Sequence, residues 1–208
     1  MRYSKAYWNK LSGKYDRHVM GEYAKAYGNT IELTRKYLKG GDLVLDYGCG
    51  TGITTTALAR HVKKIVALDI SDGMIAAAKA KAEKQGIRNI EFSNDDLFSA
   101  GIAEGSFDVV TAFNLLHFLP DVEAALKRLH TLLNPAGLFI SVTDCLGESP
   151  GLVSALQSLP GKIGLRPRSI KFKTTVLEKT VQSGHFTILE TANLYASPPN
   201  YFIAARKS

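Results

Sequence analysis

The feature that most restricts this chain is an alternation that begins at Asp42. Short apolar runs rich in β-branched residues trade places with helix-period segments. LVLDY (43–47), KIVALDI (64–70), NIEFSN (89–94), FDVVTAFN (107–114) and GLFISVTD (137–144) read as strands. Between them TTTALARHV (54–62), DGMIAAAKAKAEKQG (72–86) and DVEAALKRLHTLL (121–133) read as helices. A strand reached through a helix pairs in parallel by a right-handed crossover. The expected class is therefore α/β with an open, doubly wound sheet. TTVLEKTVQSG (174–184) adds a helix. HFTILETANLY and NYFIAARK, joined through SPPN, close the chain as an antiparallel hairpin.

Two regions stand outside this rhythm. Residues 1–40 read as a helical cap in which Gly13, Gly21 and Gly28 are expected to break the helix into two or three pieces. Trp8, Leu11 and Tyr15 share one helical face. Residues 145–173 hold Gly147, Pro150, Gly151, Pro160, Gly161, Gly164 and Pro167, and LVSALQSL suggests a short helix among them. An insertion of that length in a compact domain points to the substrate region. The division is thus a cap over 1–40 and one domain over 41–208. A chain of 208 residues, 45% hydrophobic, has the material for such a core.

Charge and cysteine content narrow the setting. The net charge is +7, spread along the chain except for a cluster at Lys162, Arg166, Arg168, Lys171 and Lys173. That cluster reads as a solvated basic loop, with an anionic acceptor, a phospholipid surface or, more weakly, RNA as the functional alternatives. Cys49 and Cys145 lack CxxC partners, which gives no metal framework and suits a reducing, cytoplasmic location. MRYSKAYWNK has no apolar leader core, and no run of 18 apolar residues is present, so no integral membrane segment is expected.

In open parallel sheets the ligand sits beyond the carboxyl ends of the strands. Those ends carry Asp46 and the glycines of DYGCGTG after the first strand, and Asp69, Ile70 and Ser71 after the second. Asn94, Asp95 and Asp96 follow the third, Asn114, Leu115, Leu116 and His117 the fourth, and Thr143 and Asp144 close the fifth. Asp69, about 20 residues beyond Gly48, suits the hydroxyls of a ribose. Asp95 suits an exocyclic amine, and Met74 offers an apolar face to a purine. The loop itself separates adenosine cofactors. Its glycines fall at Gly48, Gly50 and Gly52, with Ile53 where a dinucleotide fingerprint has its third glycine. A carboxylate at Asp46 would repel a pyrophosphate. It would suit a ligand that is cationic at that end, as the methionine moiety of S-adenosylmethionine is.

The blocks VLDYGCGTG (44–52), VALDIS (66–71), NDDLF (94–98), FDVVTAFNLLHFLPD (107–121) and LNPAGLFISV (133–142) together resemble the class I S-adenosylmethionine-dependent methyltransferases. The resemblance spans 42–206. It implies a Rossmann-like seven-stranded sheet whose last strand is antiparallel. It implies S-adenosylmethionine as cofactor and S-adenosylhomocysteine as product. The loop Asp46, Gly48, Cys49, Gly50, Gly52 would take the methionine moiety, Asp69 with Ile70 the ribose and Asp95 the adenine amine. Met74, Asp96 and Leu97 would flank the base, and Asn114 and Leu115 the methyl end. YWNKLSGKYD (7–16) is more distantly similar to the cap of small-molecule methyltransferases, the quinone C-methyltransferases among them.

Several residues carry two readings. His117 could take a proton from an acceptor or simply pack against the cap. His18 has the same two readings, and Tyr7, Trp8 and Tyr15 are either a lid over substrate or core contacts. Asp72 reads as a helix cap, and Asp108 as an anchor of its strand. SPPN lies between the last two strands, so it gives no support to DNA or protein-amide methylation. The expected partner is a small-molecule methyl acceptor, lipid- or quinone-like, with no metal. An RNA or protein acceptor, a non-catalytic cofactor-binding scaffold and a nicotinamide oxidoreductase are the alternatives. Oligomeric state is not legible.

Overall fold

The computed structural model describes residues 2–148 and 167–208. Helices α1 (Arg2–Glu22) and α2 (Ala24–Arg35) precede β1 (Leu43–Tyr47), α3 (Ile53–Leu58), β2 (Lys64–Leu68), α4 (Asp72–Lys84) and β3 (Ile90–Ser93). Then come β4 (Phe107–Phe113), α5 (Val122–Leu132), β5 (Leu133–Asp144), α6 (Thr174–Ser183), β6 (Phe186–Ala196) and β7 (Pro199–Lys207). The seven strands form one sheet in the order β3-β2-β1-β4-β5-β7-β6. β1 to β5 pair in parallel, and β7 runs antiparallel to both β5 and β6. The strand order reverses between β1 and β4, which opens a crevice at their carboxyl ends.

Both faces of the sheet are covered, and the two-residue period decides which side chain goes where. Leu45, Val110, Phe139 and Ile203 pack with α5 and α6 through Leu126, Leu129 and Leu177. Their neighbours Val44, Val109, Ile140 and Phe202 pack on the other face with Ala26, Leu58 and Ile75. Phe139 and Phe202 are fully buried, each worth roughly 1.5–3 kcal/mol of hydrophobic stabilisation.

The cap differs from expectation. α1 runs through Gly13 and Gly21, α2 runs through Gly28, and the break falls at Tyr23. A β-carbon at any of the three glycines would meet nothing within 4 Å. Each therefore lies on an open helix face, where glycine costs about 1 kcal/mol relative to alanine without ending a helix held by packing. Asn9 Oδ1 on α1 accepts from Ser71 Oγ (2.6 Å) and the Gly73 amide (3.1 Å). Lys5 pairs with Asp72 (3.0 Å) and Asp16 with Lys81 (2.7 Å). These bonds lay α1 along α4, close to the strand ends.

Three further boundaries moved. Ser71, not Asp72, caps α4, its hydroxyl accepting from the Met74 amide at 3.2 Å. The helix read over 54–62 ends at Leu58 and tightens into a 3₁₀ turn, Ala59–His61. β5 begins at Leu133, which pairs with Phe107 before Leu138 pairs with Val109, so 134–137 bulge past Asp108. Asp108 fixes that bulge: it accepts from Asn134 Nδ2 and, at 2.8 Å, from the Leu43 amide. LVSALQSL, Lys162 and Arg166 lie outside the described residues.

Candidate ligand site

The turn after β1 is built from left-handed glycines. Gly48, Gly50 and Gly52 have φ of 77°, 54° and 74°. The amides of Gly48 and Cys49 both donate to Leu68 O, at 2.8 and 3.0 Å, which ties the turn to the end of β2. Asp69 completes it, accepting from the Gly50 amide at 3.0 Å and the Ser71 amide at 2.8 Å. A β-carbon on Gly48 would sit 2.8 Å from Leu115. Glycine therefore lets the turn approach the loop after β4.

Over this turn lies a cavity of about 370 Å³. Of the residues singled out in the sequence, Gly48, Gly50, Asp69, Ile70, Met74, Asp96, Asn114 and Leu115 line it. Trp8 and Tyr15 of α1 lie over them, their rings edge to face at 6.4 Å. The described lining holds three carboxylates, Asp69, Asp96 and Asp121, and no lysine or arginine. Burial pushes the Asp69 carboxyl above its usual value, against the lowering effect of its two backbone hydrogen bonds.

Five expected residues are absent from that lining. Asp46 is turned away because its place in β1 puts it on the α3 face with Val44. There its oxygens accept from Thr55 Oγ1 (2.6 Å) and Thr111 Oγ1 (2.8 Å). Burial raises its pKa to about 6, partly offset by those hydroxyls. Asp95 accepts from Ser93 Oγ and lines a separate cavity with Val66 and Phe107. Asp96, one residue on, is the carboxylate that reaches the site. Cys49 is buried in the core on the α3 face and Leu97 in the core on the other. Gly52 serves packing instead, since a β-carbon there would lie 3.1 Å from Ala78 Cβ.

A second cavity, of about 200 Å³, adjoins the first. Tyr7, Trp8, Tyr15, His18, Tyr23 and Tyr27 from the cap line it, with Asn114, His117, Phe118, Asp144, Tyr195 and Asn200 from the sheet ends. Trp8, Tyr15, Asn114 and Phe118 belong to both cavities. His117 is buried, its ring tilted against Phe118 at 4.1 Å, and its carbonyl accepts from the Ile170 amide at 2.7 Å. Asn114 has φ of 53°, rare for a residue with a side chain. It is held by its amide to Val142 O (2.7 Å) and by Asn200 Nδ2 donating to its Oδ1 (2.8 Å). The same Asn200 nitrogen donates to Asp144 Oδ1 at 2.7 Å, and Tyr15 and Tyr27 join their hydroxyls at 3.0 Å.

Sequence reading missed Asn200, Tyr27 and Asp121 here. Asn200 lies far along the chain in what read as a turn, and only the β5–β7 pairing brings it to Asp144. Asp121 caps α5, accepting from the Ala124 amide at 2.8 Å, a role that hides its second face.

Residues 44–137 match a profile described as a methyltransferase domain. Over that stretch, somewhat under half of the chain, it resembles the methyltransferase domain family. A demethylmenaquinone methyltransferase of Lactococcus lactis is 32% identical over 142 residues, 65% of this chain and 56% of that protein. A ubiquinone biosynthesis O-methyltransferase of Coxiella burnetii is 35% identical over 105 residues, 50% of this chain and 44% of that one. The chain thus spans about half the length of these curated relatives. In fold it is similar to the N-methyltransferase NodS of Bradyrhizobium japonicum, solved with S-adenosyl-L-homocysteine. The TM-score is 0.78 at 16% identity, over 99% of this chain and 98% of that one. Among the described residues no helix is long and apolar enough to cross a membrane.

Proposed function

We propose that this chain transfers a methyl group from S-adenosylmethionine to a small molecule. The observation that carries the reading is the pair of adjoining cavities at the strand ends. The larger is acidic and glycine-floored, and the smaller is aromatic. The cofactor, when bound, supplies a methyl group on a sulfonium. The residues present fit such a ligand: Asp69, Asp96 and Asp121 give a local negative field that favours a cation and opposes a pyrophosphate. Asp69 accepts from ribose hydroxyls, Asp96 from the base, and Met74 and Leu115 give it apolar faces. The amides and bare α-carbons of Gly48 and Gly50 admit the carboxylate end.

The acceptor lies in the second cavity. Trp8, Tyr15, Asn114 and Phe118, common to both cavities, orient the two reactants and keep water from the gap between them. Reactive approach needs about 3–3.5 Å between the reacting atoms, so positioning is the chain's main contribution. His117 lies in the acceptor cavity and is our candidate for taking up a proton there. The quinone-related names of the curated relatives, with the tyrosine-rich wall, support an acceptor with a planar apolar body.

Thermal unfolding with S-adenosylmethionine, S-adenosylhomocysteine and NAD tests the cofactor assignment. The two adenosyl sulfur compounds are expected to raise Tm and NAD to leave it unchanged. A shift with NAD alone would overturn the reading.

A further inference from the structure

The second cavity has an electrostatic character at odds with the chain around it. The chain carries a net charge of +7. Yet among the described residues lining this cavity there is no lysine or arginine, and Asp144 is the one carboxylate. Tyr15, Tyr23 and Tyr27 line the cavity with it. Burial raises all three phenols, Tyr23 to about 12, so they stay neutral hydroxyls and add no charge. One oxygen of Asp144 is taken by Asn200, which also fixes Asn114 on the border with the larger cavity. A carboxylate among aromatic rings is a cation's environment: the ring quadrupoles and the fixed charge act in the same sense. An acidic acceptor would meet repulsion with no lysine or arginine in the described wall to offset it.

Resting on the methyltransferase reading, we propose that the second cavity takes an amine, held as its ammonium beside Asp144 among the rings of Tyr15, Tyr23 and Tyr27, and that this nitrogen receives the methyl group. The ammonium first gives one proton to His117, which lines the same cavity. The nitrogen lone pair then forms a bond to the methyl carbon as the carbon–sulfur bond breaks. The electron pair of that bond stays on sulfur, which becomes a neutral thioether. The positive charge moves to the nitrogen of the methylated product, and Asp144 faces a cation before and after transfer.

Benzylamine, benzyl alcohol and benzoate form a matched set of probes with one ring and three charges. Their binding is measured by calorimetry on the chain saturated with S-adenosylhomocysteine. Benzylamine is expected to bind about tenfold or more tighter than benzyl alcohol, and benzoate not to bind. Asp144→Asn is expected to abolish the preference for the amine while S-adenosylhomocysteine affinity stays within about threefold, since Asp144 does not line the larger cavity. Equal or tighter binding of the alcohol or the acid, or binding of none of the three, overturns the amine assignment. So does an amine preference that survives Asp144→Asn. The comparison among probes needs only the unaltered chain and stands even if the variant does not fold. Failure of S-adenosylhomocysteine itself to bind would instead overturn the methyltransferase reading.

Discussion

Asn200 Nδ2 lies 2.8 Å from Asn114 Oδ1, a bond that joins the final hairpin to the residue between the two cavities. Asn114 is held at positive φ, so this contact offsets a backbone cost of roughly 1–3 kcal/mol. Asn200→Ala should lower stability by about 1–3 kcal/mol, since it also strips a donor from Asp144. In urea titrations of Asn114→Ala, Asn200→Ala and the double variant, the two changes should be coupled by at least about 0.5 kcal/mol. Simple additivity would show that the contact does not hold Asn114 in place.

The adjacent acids after β3 give a sharp contrast. Asp96 lines the larger cavity, whereas Asp95 is bonded to Ser93 and faces another. Calorimetry should find Asp96→Ala about tenfold or more weaker for S-adenosylhomocysteine, the loss of one hydrogen bond to a charged group. Asp95→Ala should stay within about threefold, on the order of 0.6 kcal/mol. The reverse order would restore the assignment that sequence alone suggested.

Asp46 should leave a mark on the pH dependence of stability. Its folded pKa of about 6 lies above the ordinary 3.8. A raised carboxyl favours the fold while protonated: that contribution is fully present below about pH 4 and is lost as pH rises through about 6. Asp46→Asn stays neutral throughout and can still bond the two threonines. Relative to the unaltered chain it should gain stability between pH 4.5 and 7.5, by up to about 3 kcal/mol. Asp69 is present in both proteins and cancels. Unfolding curves that keep a constant offset across that range would contradict the buried, ionisable assignment.

The contact of α1 with α4 depends on Gly73. A β-carbon there would lie 2.5 Å from Ser12 Oγ and 3.2 Å from Asn9 O. Gly73→Ala should push α1 outward, cost roughly 1–3 kcal/mol and speed release of S-adenosylhomocysteine in stopped-flow measurements. An unchanged release rate would mean that α1 does not control exchange.

The parallel sheet and its succession of elements were readable because strands buried on both faces give short β-branched runs with helix-period segments between. The cavity floor was readable for the same reason: Gly48, Asp69 and Asn114 sit at strand ends that the pattern itself marks. Orientation was the harder matter. Asp46 lies in a strand whose alternation turns it to the α3 face, and a motif records position without recording which face a side chain takes. Asp95 and Asp96 differ by one residue, and the loop between them and the sheet is too irregular for periodicity to decide. Asn200 was out of reach because its contacts to Asn114 and Asp144 exist only across the folded sheet.

The wall shared by Trp8, Tyr15, Asn114 and Phe118 bears on how such a protein could diversify. A substitution in that wall alters both cavities at once, so on the reading proposed above a change made for the acceptor would also be felt by the cofactor. Tyr7, His18, Tyr23 and Tyr195 touch the second cavity alone. These four lie in the cap and the final hairpin, outside the residues that match the methyltransferase domain, whereas His117, also confined to the second cavity, lies within them.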